Sequence, residues 1–326
     1  MNKLSLSQLA SVIKEPAKTV IFCHRNPDPD TLGSAFSLKC ILEHFGSEVR
    51  CVCPDRVKEK FDFITGGADL TSGFDIDSFE RAIAIDVGSQ SQLGDYDIYA
   101  DKINLIIDHH EMNVRYADYY EDFAPATAMI VYELASELGV LDALPMRFFE
   151  CVYAGLSGDT GCFKYSNTTP YAMRMGAELI ERGIDFSKIN HMIFDSKSAS
   201  EISAQRMVFD KVELHCNGAL ALVMVTNETK REYGITENDI SDIVNTIRQI
   251  QGVLVAVSIK QVDGDTERFS VSSRANADID VSALCASIGG GGHPRAAGAT
   301  VIASSPSEAL EIVRVLFSKG VNEYVG

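Results

Sequence analysis

Four short polar motifs carry the residues able to do chemistry. Asp108-His109-His110 follows the apolar run Ile103-Asn104-Leu105-Ile106-Ile107. His24-Arg25-Asn26-Pro27-Asp28-Pro29-Asp30 follows the apolar residues 19–23, Asp86 follows 82–85, and Asp159 follows 151–156. Carboxylates and imidazoles gathered from four segments repel one another unless cations neutralise them. Mixed His and Asp donors suit Mn²⁺, all-oxygen sites lean to Mg²⁺, and thiolate-rich sites to Zn²⁺. Two divalent ions about 3.5–4 Å apart are the usual device for hydrolysing phosphate esters. Asp28 and Asp30, two apart in a proline-stiffened loop, could serve two neighbouring ions, with Asp86 and Asp159 completing or bridging the sites. Taken singly, each motif has a plainer reading. Asp-Pro-Asp is a common turn, a strand-end Asp is often a helix cap, and His-His in a loop is often only solvated. Their joint order carries the argument for a metal-dependent enzyme.

The elements that must position these groups read as alternating helices and strands. Residues 5–13 predict a short amphipathic helix, and 19–23, 48–53, 81–85 and 103–107 predict strands. Residues 31–45 predict a helix with Asp30 as its N-cap. This alternation predicts an α/β fold, a mostly parallel sheet with helices on both faces. In such sheets, sites gather at the carboxyl ends of strands. Residues 126–138 and 171–182 predict helices, and 146–156 a buried helix or strand followed by the turn Ser157-Gly158-Asp159-Thr160-Gly161. The second half changes style. Strand-like runs at 212–216, 220–226, 253–259 and 269–273 alternate with helical segments at 237–249, 282–288 and 307–317, a smaller mixed α/β domain. The expected division is a catalytic domain over 1–187, a helical connector over 188–208 and a second domain over 209–326.

Bulk properties bound the function. The chain has 326 residues, 46% hydrophobic, with a net charge of −17. Sequence-independent binding of long nucleic acid needs phosphate neutralisation by many basic residues, so long duplexes are not expected as partners. Eight scattered cysteines without a CxxC predict free thiols in a reducing compartment. No apolar run reaches the roughly 18 residues of a membrane span and the N-terminus lacks the shape of a signal peptide. A cytoplasmic protein with no membrane partner is expected, and a homodimer is compatible with the sequence.

Near the C-terminus stands Gly289-Gly290-Gly291-Gly292-His293-Pro294-Arg295-Ala296-Ala297-Gly298. Glycine backbone can approach an anion closely, with His293 and Arg295 as charge-assisted donors; the plainer reading is a flexible turn. Arg274, at a predicted strand end, is a second candidate for phosphate, with an exposed surface Arg as its alternative.

The chain resembles the DHH phosphoesterase superfamily. The resemblance rests on His24-x-x-x-Asp28-x-Asp30, Asp86, Asp108-His109-His110 and Gly158-Asp159-Thr160, in that order, and on the 289–298 stretch, which is similar to the DHH-associated C-terminal domain. The two-domain size is closest to the bacterial nano-RNase and pAp (adenosine bisphosphate) phosphatase group. The resemblance implies two divalent ions, Mn²⁺ first with Mg²⁺ or Co²⁺ as alternatives. One would be held by His24, Asp28 and Asp86, the other by Asp30, Asp86, His109 and Asp159. It implies that His110 sits over the scissile phosphate and that Asp108 orients a neighbouring imidazole. It assigns Arg274, Gly290, Gly291, Gly292, His293 and Arg295 to substrate binding, with the second domain gripping the far phosphate or base across an interdomain cleft. The expected partners are short oligonucleotides or nucleoside bisphosphates. The expected reaction is Mn²⁺-dependent hydrolysis of di- to penta-ribonucleotides to mononucleotides, dephosphorylation of pAp, or both. The rival readings are a phosphodiesterase for cyclic or linear dinucleotides (cyclic di-AMP, pApA) and a non-catalytic nucleotide sensor. An inorganic pyrophosphatase and a processive exonuclease fit the chain less well.

Overall fold

The computed structural model describes residues 2–110, 116–241 and 243–326. It divides into two compact units, Met1–Ser196 and Lys197–Gly326. The expected connector straddles this division: helix Phe186–Asn190 belongs to the first unit and helix Ala199–Lys211 to the second.

The first unit is built on a parallel sheet of β1 (Thr19–Phe22), β2 (Val49–Val52), β3 (Arg81–Ile85), β4 (Leu105–Asp108) and β5 (Asp118–Glu121), in the order β2-β1-β3-β4-β5. A parallel strand is covered on both faces, so it reads as a continuous apolar run rather than an alternation. Ile21, Ile83, Ile85, Leu105 and Ile107 face one layer, packed with helices Leu6–Lys14, Pro29–His44, Thr127–Glu137 and Met146–Asp159. Val20, Phe22, Ala82, Ala84 and Ile106 face the other. That second layer is 3₁₀ rather than α: Ile76–Ser78 and Gln90–Lys102 cover it with Phe74, Tyr96 and Tyr99, whose rings meet Phe22 at 5.8–6.3 Å.

The order of strands decides where a ligand can sit. The chain winds from β1 outwards to β2, then returns past β1 to β3. Strand order therefore reverses between β1 and β3, the position where open α/β sheets bind ligands. Adjacent registers, Phe22 with Ala84 and Ile85 with Ile107, bring the carboxyl ends of β1, β3 and β4 side by side.

Two expectations need correction. The second helix spans Pro29–His44, and its N-cap is Asp28, not Asp30. Proline at the first helical position loses no needed hydrogen bond and has its φ already set; Pro29 therefore opens the helix instead of excluding it. Asp159 does not follow a strand. It is the last residue of helix Met146–Asp159, whose 14 residues exceed the usual strand.

The second unit is a six-stranded mixed sheet: β6 (Glu213–His215), β7 (Leu220–Val225), β8 (Val255–Gln261), β9 (Arg268–Ala275), β10 (Gly291–His293) and β11 (Ala296–Ile302), ordered β10-β11-β9-β8-β7-β6. Among the described residues of this sheet, only β7 and β8 run parallel. Helix Pro306–Val325 buries Ala309, Val313, Phe317 and Val321 against one face. Helices Ala199–Lys211 and Ile243–Ile247 pack with the other. The helix expected over 237–249 is a 3₁₀ turn, Asn238–Ile240, followed by Ile243–Ile247; position 242 lies outside the described residues. Among the described residues, no helix is long and apolar enough to cross a membrane.

Candidate metal centre

The carboxyl ends of β1, β3 and β4 and two helix termini deliver the polar residues of the first unit to one place. Asp86, directly after β3, adopts φ 58°, a left-handed conformation that Asp tolerates better than most residues. It is 1% exposed, and Asp30 and Asp108 are fully buried. One ligand atom from each of His24, Asp28 and Asp86 lies within 4.8 Å of the others, and the same holds for Asp30, His109 and Asp159. Asp86 faces both groups. Its Oδ2 is 3.5 Å from His24 Nε2, and its Oδ1 is 3.6 Å from His109 Nε2. Asp28 Oδ1 stands 3.6 Å from His24 Nε2, and Asp159 Oδ2 stands 3.3 Å from His109 Nε2.

Backbone carbonyls decide which imidazole nitrogen faces the carboxylates. His24 Nδ1 lies 2.7 Å from Arg25 O, and His109 Nδ1 lies 2.9 Å from Ala124 O. A carbonyl only accepts, so each Nδ1 carries the proton and each neutral ring keeps its lone pair on Nε2. His109 Nε2 is buried and makes no hydrogen bond to any described residue. A buried imidazole lone pair aimed at carboxylate oxygens, which also only accept, fits a cation between them. The donor set of imidazoles and carboxylates fits a first-row divalent ion.

The electrostatics of the protein alone say the same. Burial, then the charges of Asp86 and Asp28, push the Asp30 carboxyl well above the usual carboxylate range. Burial, then Asp30 and Asp28, do the same to Asp159. Burial works against a charged His24, but hydrogen bonds to Asp28 and Asp86 outweigh it and raise the ring to about 12. Burial also opposes ionisation of Asp86, yet the imidazole of His24 overcomes it and holds the carboxyl at about 2. Crowded anions take up protons when nothing else neutralises them, and a metal ion displaces those protons.

His110 adjoins the shared carboxylate, with Nδ1 3.6 Å from Asp86 Oδ1, and forms a further close group with Asp86, Asp108 and His109. Its Nδ1 is 2.8 Å from Asp108 Oδ1, and its side chain is 40% exposed. Burial lowers its basicity, but the Asp108 hydrogen bond, with Asp86 beyond it, raises it to about 9. Asp108 also accepts the His110 backbone N–H at 3.0 Å.

Sequence reasoning missed Thr127 and Ala128. Thr127 N and Ala128 N donate to Asp30 Oδ2 and Oδ1 at 2.7 and 3.0 Å, and Thr127 Oγ1 donates to Asp86 Oδ1 at 2.8 Å. These amides open helix Thr127–Glu137, whose first N–H groups have no partner within the helix. The only signal in the sequence was a threonine in Pro125-Ala126-Thr127 at a predicted helix start. It missed Gly155 as well: a Cβ there would lie 2.6 Å from Asp30 Oδ1 and from Ala128 Cβ.

In the second unit, the glycine-rich stretch forms the β10–β11 hairpin rather than a flexible turn. A Cβ on Gly290 would fall 2.2 Å from Gly298 O, and one on Gly292 2.6 Å from Ala296 O, so close backbone approach requires glycine at both. Register places Arg274 opposite Ala296, and Ala296 opposite His293. Residues directly opposite share a face of an antiparallel sheet. Arg274 and His293 therefore flank a small alanine on one face, two strand spacings or roughly 10 Å apart. Arg295, in the hairpin turn, pairs with Asp278 at 3.1 Å.

Residues 18–156 match the DHH family, N-terminal domain, and residues 217–319 match the DHHA1 domain. The bifunctional oligoribonuclease and PAP phosphatase NrnA of Bacillus subtilis is 27% identical over 289 residues, 86% of this chain and 88% of that protein. The protein of the same name from Thermus thermophilus is 28% identical over 300 residues, 90% of this chain and 87% of that protein. An exopolyphosphatase-related protein from Bacteroides fragilis shares the fold, with a TM-score of 0.86 at 20% identity, covering 98% of this chain and 96% of that one.

Proposed function

We propose that this chain, a member of the DHH family and a metal-dependent hydrolase, hydrolyses the phosphate esters of short nucleotides. Its substrates would be short oligoribonucleotides, pAp, or both. Two relatives that align along most of its length are named for those two activities. The observation that carries the reading is the pair of imidazoles, His24 and His109, whose Nδ1 atoms are committed to carbonyls while each Nε2 faces carboxylates.

His24, Asp28 and Asp86 would hold one divalent cation, and Asp30, His109, Asp159 and the shared Asp86 a second. Bound there, Mn²⁺ would supply charge neutralisation for phosphoryl oxygens and a nucleophile at neutral pH. The protein's own groups do the rest. His110 keeps Nδ1–H on Asp108, so Nε2–H is the proton it would offer to a leaving oxygen. Asp108 fixes that ring's orientation and stabilises its charged form. In the second unit, Arg274 and His293 would hold a further phosphate of the nucleotide, Arg274 through its planar fork of donors. The exposed backbone of Gly291 and Gly292, with Gly290 before them and Arg295 beyond, would complete that contact. The strongly negative net charge suits short substrates over long polyanions.

The test is product analysis on di- and tri-ribonucleotides, pApA, cyclic di-AMP and pAp, side by side with Mn²⁺. Mononucleotides from the linear substrates, or AMP from pAp, are the expected products. Turnover confined to cyclic di-AMP would move the reading to a cyclic-dinucleotide phosphodiesterase. Tight binding of any of them without turnover would make the protein a sensor.

A further inference from the structure

The metal centre proposed above has a common support, formed by residues 124–128. Ala124 O fixes the tautomer of His109 at 2.9 Å. Asn167 Nδ2 donates to Pro125 O at 3.3 Å and to Asp159 O at 3.1 Å, tying the end of helix Met146–Asp159 to the same segment. Both oxygens of Asp30 are held by the amides of Thr127 and Ala128. Four of these five residues, Ala124, Pro125, Thr127 and Ala128, thus reach Asp30, Asp86, His109 and, through Asn167, Asp159.

Asp86 is the member with the hardest task, because one oxygen must serve each group. A carboxylate turns easily about its last torsion, which is broad and roughly two-fold. Something has to stop that rotation with Oδ2 toward His24 and Oδ1 toward His109. The Thr127 hydroxyl is placed to do it, 2.8 Å from Oδ1 and fully buried. Its single proton has an ionised acceptor, and the threonine χ1 is stiff because its Cβ is branched. We propose that Thr127 is a positioning residue: its hydroxyl holds the Asp86 carboxylate in the one orientation that lets it bridge two cations, while its amide holds Asp30. This inference rests on the cluster holding cations.

The experiment compares Thr127→Val, which keeps the shape and loses the donor, with Thr127→Ser, which keeps the donor and loses the methyl. Mn²⁺ binding to the metal-free full chain is measured by calorimetry, alongside kcat and KM at saturating metal. The expected result is that the affinity for at least one Mn²⁺ falls about 10–100-fold in the valine variant, the range for outer partners of metal ligands. Serine should restore it nearly to wild type, and substrate KM should stay close to wild type in both. Should the valine variant fail to fold by circular dichroism, Thr127→Ala against Thr127→Ser asks the same question. Wild-type Mn²⁺ affinity in the valine variant overturns the inference, as does an equal loss in valine and serine, which would point to packing of the methyl. If wild type itself takes up no Mn²⁺, the functional reading falls first and this inference with it. Two-ion uptake by wild type, left unchanged in the valine variant, removes this inference alone.

Discussion

In the first unit the candidate residues lie at strand ends and helix termini, and the carboxylates at their centre are sunk into the protein. Asp30 and Asp108 are fully buried, and each has fixed partners within 3 Å. In the six-stranded sheet the candidates stand on strands and a hairpin, with Gly291, Gly292, His293 and Arg295 all exposed. Arg274 Nη1 donates to Ser273 O at 3.0 Å, and Arg295 meets an exposed Asp278. Burying a carboxylate is costly unless it is paired or coordinates a metal, so the first arrangement is worth building only where distances must be held closely. Half-buried Arg274 and exposed His293 carry no such buried carboxylate between them. Under the proposed function, the contrast would place bond-breaking in the first unit and recognition in the second.

The contrast breaks most directly at Asp86. Asp86→Asn removes the charge while keeping a residue that tolerates the left-handed backbone. Phosphoester hydrolysis with Mn²⁺ should drop by on the order of 10²–10³-fold or more, read as initial rates at saturating substrate. Activity near wild type would end the two-cation account.

Arg274→Ala and His293→Ala probe the other side. Each should lower kcat/KM by roughly 10–100-fold, the worth of a charge-assisted hydrogen bond, mostly through KM. A fall in kcat with KM unchanged would draw the second unit into the chemistry and dissolve the division of labour.

Two glycines sharpen the difference in rigidity. Gly155→Ala forces a methyl to 2.6 Å from Asp30 Oδ1 and from Ala128 Cβ, whereas a Cβ on Gly291 would meet nothing within 4 Å. Thermal unfolding should show about 1–3 kcal/mol of destabilisation for Gly155→Ala, from overpacking, with weaker Mn²⁺ binding, and little change for Gly291→Ala.

The smallest effect is in pH. In metal-free protein, His24 is raised to about 12 and His110 to about 9 from an ordinary 6.5, and Asp30 and Asp159 are raised as well. A raised group binds its proton more tightly in the folded state. Its contribution is whole below the unfolded value and is lost as pH climbs through the folded one. Asp86, lowered to about 2, works the other way, and only under acid conditions. Between pH 6.5 and 9, metal-free protein should therefore lose a few degrees of melting temperature, and the stabilisation by Mn²⁺ should grow because binding displaces protons. A Mn²⁺ increment that stays flat across that range would contradict the protonated picture of the metal-free cluster.

The order of motifs was legible because parallel strands write themselves as apolar runs, and the residue after each run falls at the sheet's carboxyl edge. Asp159 was harder to place: the apolar segment before it fits a buried helix or a strand equally, and only its length decides. The second helix begins two residues before the expected start, since proline, disfavoured inside a helix, fits its first turn. Thr127 was out of reach. Its partners Asp86 and Asp30 lie 41 and 97 residues away in the chain, and nothing local marks such a contact. Strand β5 (Asp-Tyr-Tyr-Glu) was missed because an edge strand need not be apolar on both faces. Strands β10 and β11 were missed because glycine is depleted in strands and reads as a turn.

A single oxygen of Asp28 constrains how this position can change over generations. Asp28 Oδ1 accepts the amides of Asp30 and Thr31, starting the helix, and the same atom faces His24. Drift at this position is therefore judged twice, by the nascent chain as it folds and by the finished catalyst as it works. Asn would satisfy the first judge and fail the second, since it can still cap but brings no charge. Under the proposed function, Asp28→Asn should therefore keep the helix and weaken the ion site shared with His24 and Asp86.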